Sequence, residues 1–271
     1  MEGEINLKTD FEMIVRKFSD IKPIKIFPIA DVHFGALEHQ NKEWEAFIKY
    51  INETPDAYII LAGDLINNNT RSSVGSPWDD TVRPREQKAQ MVEYLKPIKE
   101  RLLCCTSGNH ERRSLKDADD DPTYDIMAKL DLEDAYRPNA AFLKLQVGEE
   151  KNREDRFYNC YTFAVTHGAG GGIYTGATVN RNERWGNVID GLDCLIVGHT
   201  HKGTVTRPSK IVLDTFINRA VIKSYLVVSC TSWQAYSGYP LQKMLLPSET
   251  ARPICLTLSA EPRKKDIETV W

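Results

Sequence analysis

Five short strings in the chain carry side chains that can bind metal ions or move protons: Asp31-Val32-His33, Gly63-Asp64, Gly108-Asn109-His110-Glu111, His167-Gly168 and Gly198-His199-Thr200-His201. Five of the six histidines lie in these strings, and only His39 lies outside them. Aspartate, asparagine and histidine supply the oxygen and nitrogen donors that suit Mn, Fe, Zn or Ni. One such histidine alone is often only a hydrogen-bonded core or surface residue, whereas five strings together argue for a metal centre. In Asp31-Val32-His33 and His199-Thr200-His201, an extended backbone would turn the outer two side chains to one side and the middle one away. Gly63, Gly108 and Gly198 each precede a donor, where a tight turn or a close backbone approach favours glycine.

The elements that must position these donors are apolar runs of strand character. Residues 24–30 lead into Asp31, 57–63 into Asp64 and 101–107 into the Gly108 string. Residues 157–168 and 192–201 contain the remaining two strings. Between the first three runs lie helical patterns over 42–53, where Trp44, Phe47, Ile48 and Ile51 recur at helix spacing, and over 85–99. A further helix is expected over 123–130, with Pro122 in its first turn. Strand and helix alternating in this way make an α/β layered fold. In open α/β sheets, ligands bind beyond the carboxyl ends of the strands, so five strand ends can meet at one crevice.

The second half reads mainly as strands, over 140–147, 157–168, 221–233 and 253–260, with 149–156 as a solvated hairpin turn. The polar loop 67–85 is long for a compact domain and marks a functional or mobile segment. The expected organisation is an N-terminal extension over 1–23, one domain over 24–260 and a frayed tail over 261–271.

The bulk composition fits an ordinary globular chain of 271 residues, with 41% hydrophobic and 27% charged. A formal net charge of -3 gives no broad basic surface for wrapping duplex nucleic acid, although a local basic groove remains compatible with it. The first twenty residues mix both charges without an apolar run, and no stretch reaches the length of a spanning helix. A cytoplasmic protein without a membrane partner is therefore expected. The six cysteines lack zinc-knuckle spacing and read as buried free thiols.

The ordered set D-x-H, G-D, G-N-H-E, H and G-H-T-H resembles the calcineurin-like metallophosphoesterase superfamily, over about residues 24–205. The resemblance implies a four-layer α/β/β/α sandwich and hydrolysis of a phosphoester by a metal-bound hydroxide. It implies that Asp31, His33, Asp64 and His201 hold one divalent ion, and that Asp64, Asn109, His167 and His199 hold the other. Asp64 would bridge the two. The ions would be transition metals, manganese foremost, with iron, zinc or nickel as alternatives. The resemblance puts His110 near the scissile phosphate as a catalytic group rather than a ligand. Glu111 would either orient a ligand imidazole or serve as a cap or salt bridge, and Asn67 would lie close to the site.

Arginines near the strings are candidate phosphate contacts, because a guanidinium matches phosphate oxygens in pairs. These are Arg71, Arg112, Arg113 and Arg184. The segment 168–185 has four glycines within five residues, with Tyr174 and Trp185, and reads as a flexible wall or as a loop before a helix starting near Asn182. Trp233, Tyr236 and Tyr239 would form a second wall or pack a sheet edge. A weaker resemblance links the G-N-H-E-R-R string to small phosphoesterases of bacterial and phage genomes and to the Mre11/SbcD-like nuclease branch. It implies a phosphodiesterase acting on single-stranded nucleic acid or a nucleotide. The alternatives are a phosphomonoesterase acting on a phosphoprotein or small metabolite, and a non-catalytic binding scaffold of the same fold.

Overall fold

The computed structural model describes residues 10–20, 22–71, 73, 75, 76, 78, 80–150 and 156–271. Residues 1–9 and 21 of the expected extension and 151–155 of the expected hairpin turn lie outside the described residues, as do four positions of the polar loop. The described strands form two six-stranded sheets and one separate hairpin.

The first sheet is built on three parallel strands, β2 (Ile24–Ile29), β3 (Ala57–Ala62) and β4 (Leu102–Thr106). The short β5 (Tyr136–Arg137) extends it on one side. On the other side lie β13 (Cys255–Leu258) and β14 (Ile267–Val270), both antiparallel to their neighbours. The tail expected to fray is thus an edge strand, held by four ladder pairs from Cys255↔Val270 to Leu258↔Ile267. The second sheet runs β1 (Ile14–Phe18), β6 (Ala140–Glu150), β7 (Arg156–Thr166), β8 (Cys194–Val197), β12 (Leu226–Ser229), β9 (Thr204–Thr206). Part of the expected extension, Ile14–Phe18, is therefore a strand parallel to β6.

Alternation along the strands builds the layers. In β2 and β3, Ile24, Ile26, Ile60 and Ala62 face the second sheet and join Leu143, Leu145, Phe163, Val165, Ile196 and Val228 in one core. Phe27, Ile29, Ile59 and Leu61 point the other way, onto α1 (Asn41–Glu53), α2 (Pro84–Leu95) and α4 (Pro122–Lys129). Trp44, Phe47, Ile48 and Ile51, the stripe read from the sequence, are the buried face of α1. On the far side, α5 (Thr175–Gly186) and the loop after it bring Trp185 and Ile189 onto Leu195, Val197 and Val227. Helix, sheet, sheet, helix is the expected sandwich.

Three further elements differ from expectation. α5 begins at Thr175, not near Asn182, so the glycine-rich stretch is a short loop leading into a helix. The run 221–233 is not one strand, because Tyr225 separates β11 (Arg219–Ser224) from β12. A helix absent from the reading, α3 (Glu111–Ala118), starts inside the third string. Its polar sequence hides it, since Glu111 alone is buried along its length.

Candidate metal centre

Donors from the ends of β2, β3, β4, β7 and β8 meet at one edge of the sandwich. Past β2 and β3 the two chains stay paired, with Asp31 N–H donating to Gly63 O at 3.1 Å and His33 N–H to Asp64 O at 3.0 Å. The backbone there is not extended as expected. Asp31, His33, Asp64, His199 and His201 all have positive φ, between 48° and 71°. Aspartate and histidine are among the few side chains that visit the left-handed region, and such strain gathers at functional sites. Alternation still sends the middle residue away: Val32 is fully buried in the helix-side core, and Thr200 turns to Ser229 Oγ at 3.3 Å.

Two donor groups result. His33 Nε2, His201 Nε2 and Asp31 Oδ1 lie 3.1 to 3.9 Å from one another. In the second group, Asn109 Oδ1 is 2.9 Å from His167 Nε2 and 2.7 Å from His199 Nδ1. Asp64 Oδ2 joins both, at 3.8 Å from His33 Nε2 and 3.2 Å from His167 Nε2. Donors this far apart can share an ion with bonds of about 2.1 Å. The chemistry of the set, carboxylate, amide oxygen and imidazole, fits a pair of divalent transition metals. His33 Nδ1, like His39 Nε2, is buried without a hydrogen-bond partner, and it is the Nε2 side of the His33 ring that faces the other donors. The donor clusters around Asp31 and around Asp64 support a dinuclear centre.

The supporting contacts fix the donors. His199 N–H reaches both oxygens of Asp31, at 3.1 and 2.9 Å. His167 Nδ1 lies 2.8 Å from Ala62 O, which leaves Nε2 for Asp64 and Asn109. The Asp64 carboxylate accepts His110 N–H at 2.8 Å on its other oxygen. Gly108 is required here: a Cβ would fall 2.1 Å from Asp64 Oδ1.

Glu111 takes neither expected role. It is fully buried and accepts four backbone amides, from Asp64 (3.1 Å), Leu65 (2.6 Å), Ile66 (3.1 Å) and Gly108 (3.0 Å). It therefore clamps the turn after β3 to the turn after β4. Burial, with the nearby Asp64 charge, raises its pKa to about 7.

His110 is oriented by Asn67, whose carbonyl lies 2.7 Å from Nδ1, and its Nε2 faces Asp64 Oδ2 at 3.9 Å. Burial lowers its pKa, and the charge of Arg113 pushes the same way. Asn67 in turn donates to Asp80, as do Asn69 and Gln87. Asn68 donates to His110 O at 2.8 Å. The first residues of the polar loop are thus buried supports of the site. Asp80 and Gln87 carried no signal in the sequence, because their roles arise from contacts that only folding creates.

Burial lowers the pKa of His33 and of His199 as well. For His167 burial is outweighed by Asp64 and Asp31, which raise its pKa to about 10. Asp64 is held well below the usual carboxylate range by His167 and His110, against the cost of burial.

The substrate candidates scatter. Arg113 is held beside His110, its Nη1 directed at Asn69 Oδ1 (3.1 Å), Ser73 Oγ (3.2 Å) and Asn67 O (3.5 Å). Arg112 turns away, to Ser107 O and Pro138 O at 3.2 and 2.9 Å, and braces the chain. Arg71 is exposed at an open depression of about 570 Å³ that includes Asp117 and Asp120 but none of the metal donors. Arg184 is exposed on α5, and Tyr174 is exposed just before it. Trp233 requires correction. It is 1% exposed, with its ring centroid 5.0 Å from Trp44 and 5.2 Å from Phe47, so it belongs to the core and cannot reach a substrate. Its backbone still serves the centre, donating to Asp31 O at 3.0 Å. The glycine-rich loop is tied down by Lys202 on Gly172 O and Ile173 O and by Arg181 on Gly170 O and Gly171 O. His39, the odd histidine, stands apart from the donors, with Nδ1 2.9 Å from Val32 O.

The calcineurin-like phosphoesterase family profile matches residues 24–203. A DNA polymerase II small subunit of Thermoplasma acidophilum is 29% identical over 133 residues, which cover 45% of this chain and 25% of that protein. The chain thus spans about a quarter of the length of that relative. Among solved structures, Vps29 of Chaetomium thermophilum aligns at 11% identity and a TM-score of 0.39, covering 91% of this chain and 97% of that one. The calcineurin-like phosphoesterase YfkN of Bacillus subtilis aligns at 11% identity and a TM-score of 0.39, covering 91% and 90%. A conserved uncharacterized protein of Streptococcus pneumoniae TIGR4, a predicted phosphoesterase, aligns at 11% and 0.36, covering 93% and 100%.

Proposed function

Since the chain belongs to the calcineurin-like phosphoesterase family, we propose that it is a metal-dependent phosphodiesterase acting on nucleic acid or a nucleotide. Asp31, His33, Asp64 and His201 hold one divalent ion in this reading, and Asp64, Asn109, His167 and His199 the other. Manganese is the first choice, with iron, zinc or nickel accommodated by the same donors. Such a pair of ions lowers the pKa of a shared water and stabilises both the attacking and leaving oxygens of an in-line displacement. The chain's own residues do the rest. Asn67 holds the His110 ring so that Nε2 faces the centre, where the ring in its protonated form would stabilise charge on the phosphate or protonate the leaving oxygen. Arg113 adds a positive charge beside it.

The observation that carries the diester reading is the supply of cations. Among the described residues near the donors, Lys202, Arg112 and Arg181 are directed at backbone carbonyls away from His110, whereas Arg113, through Nη1 on Asn69, Ser73 and Asn67, is held beside it. In this reading the two ions would carry most of the charge facing the phosphate, and one added guanidinium completes the match to a diester, which bears a single negative charge. The name of the Thermoplasma relative, a polymerase subunit, supports a nucleic acid as the polymer. Turnover of bis-p-nitrophenyl phosphate, p-nitrophenyl phosphate and single-stranded oligonucleotides with Mn²⁺ tests this. The diester and the oligonucleotide should be cut. Cleavage of the monoester alone would sink the reading in favour of a phosphatase.

A further inference from the structure

Between β9 and β12 the chain forms a hairpin of β10 (Ser209–Asp214) and β11 (Arg219–Ser224) that belongs to neither large sheet. Its register puts Ser209↔Ser224, Ile211↔Ile222 and Leu213↔Ala220 on one face, and Lys210↔Lys223, Val212↔Val221 and Asp214↔Arg219 on the other. Every charged side chain of the two strands therefore lies on the second face. That face turns toward the body of the protein: Lys210 Nζ donates to Ile189 O at 2.7 Å and to Asp190 Oδ1 at 3.1 Å, and Val212 and Val221 are half-buried.

The first face points out. Ile211, Leu213 and Ile222 are 74%, 75% and 76% exposed, and Phe216 in the turn is 95% exposed. The turn is built rather than loose, because the Asp214 carboxylate accepts the amides of Phe216 at 3.0 Å and Ile217 at 3.2 Å. A solvated hairpin keeps its polar face in water. This one does the reverse, and a two-stranded ribbon is marginal when left by itself.

We propose that the outer face of this hairpin is the contact of a two-fold dimer, with a second copy of the chain as its occupant. Area is one argument. Ile211, Leu213 and Ile222 on the face, together with Phe216 and Ile217 in the adjoining turn, offer roughly 700 Å² of exposed apolar surface per copy, close to the about 800 Å² per partner of a standard interface. Charge is the other. The face carries no charged residue, so nothing on it repels its own copy, and nothing on it selects an acidic, basic or nucleic-acid partner. A two-fold contact buries the same patch on both copies at once.

Sedimentation velocity on the full chain, from about 1 to about 100 μM, covers the affinities expected for an interface of this size. The expected mass is twice that of one chain. The double variant Leu213→Glu, Ile222→Glu should sediment as a single copy, with unchanged circular dichroism and unchanged hydrolysis. Should that variant not fold, Phe216→Ser in the turn should weaken the dimer at least about tenfold, a shift that sedimentation resolves. A wild-type chain that stays a single copy across the range overturns the proposal. So does a dimer that these substitutions leave intact, since its contact then lies elsewhere.

Discussion

The backbone amide of Asp64 donates to Glu111 Oε2 at 3.1 Å, so the carboxylate shared by both donor groups is held from behind by a second buried carboxylate. Three further amides converge on Glu111. Glu111→Gln replaces one acceptor oxygen with a donor that faces backbone N–H groups. The expected loss of stability is about 2–4 kcal/mol in urea denaturation. Metal affinity should fall with it in calorimetric titration, because the Asp64 turn loses its clamp. Unchanged stability would mean that the four contacts are dispensable.

Asp64→Asn keeps the shape and removes the charge that both groups share. Metal analysis should find fewer than two ions per chain. Hydrolysis should drop by at least about a hundredfold, on the scale seen when a principal electrostatic group is removed. Chelation of the wild type should produce the same loss, reversed by added Mn²⁺.

His110 separates from the ligands by a different signature. His110→Gln should lower kcat by about 10² to 10⁴, while metal content by mass spectrometry stays that of the wild type. A loss of metal instead would make His110 a ligand, as its 3.9 Å distance from Asp64 Oδ2 also allows.

In the metal-free protein, the His167 pKa rises from the ordinary 6.5 to about 10; burial opposes this, and Asp64 and Asp31 outweigh it. A raised histidine contributes stability that is complete below its unfolded value and is lost as pH climbs through the folded one. The metal-free protein should therefore lose stability between about pH 6.5 and about pH 10. Metal requires the neutral ring, so binding there releases a proton. Mn²⁺ should raise the melting temperature more at about pH 9 than at about pH 6, and protons should be released on titration at both, since both lie below the folded pKa. An equal shift at both values would contradict a protonated His167.

Trp233→Ala should cost about 3–5 kcal/mol, as for other large aromatic truncations in a core, and leave KM unchanged. A raised KM at intact stability would return this residue to the substrate wall.

The donors were legible in the sequence because each sits at the end of an apolar run, and runs buried on both faces are easy to see. The sandwich was legible with them, once β2, β3 and β4 alternated with helices. What escaped was the support. Asp80 and Gln87 act through hydrogen bonds to loop residues that have no periodic spacing to them, and α3 buries one residue, so periodicity cannot find it. Trp233 was misplaced for a related reason: an aromatic beside polar residues looks exposed until Trp44 and Phe47 close over it. The extended backbone expected at Asp31 and His33 is replaced by left-handed turns, through which the side chains still alternate.

Those turns carry a lesson for anyone dissecting the centre by mutation. At Asp31, His33, Asp64, His199 and His201 the main chain occupies a conformation that alanine adopts reluctantly and asparagine tolerates. An alanine scan would confound two injuries at each position, a missing donor and a backbone pushed toward a different turn. Asparagine keeps the backbone at ease, altering only the head group at Asp31 and Asp64 and removing the imidazole at the three histidines. Any excess damage from alanine over asparagine would then report how firmly the surrounding loops impose the strain.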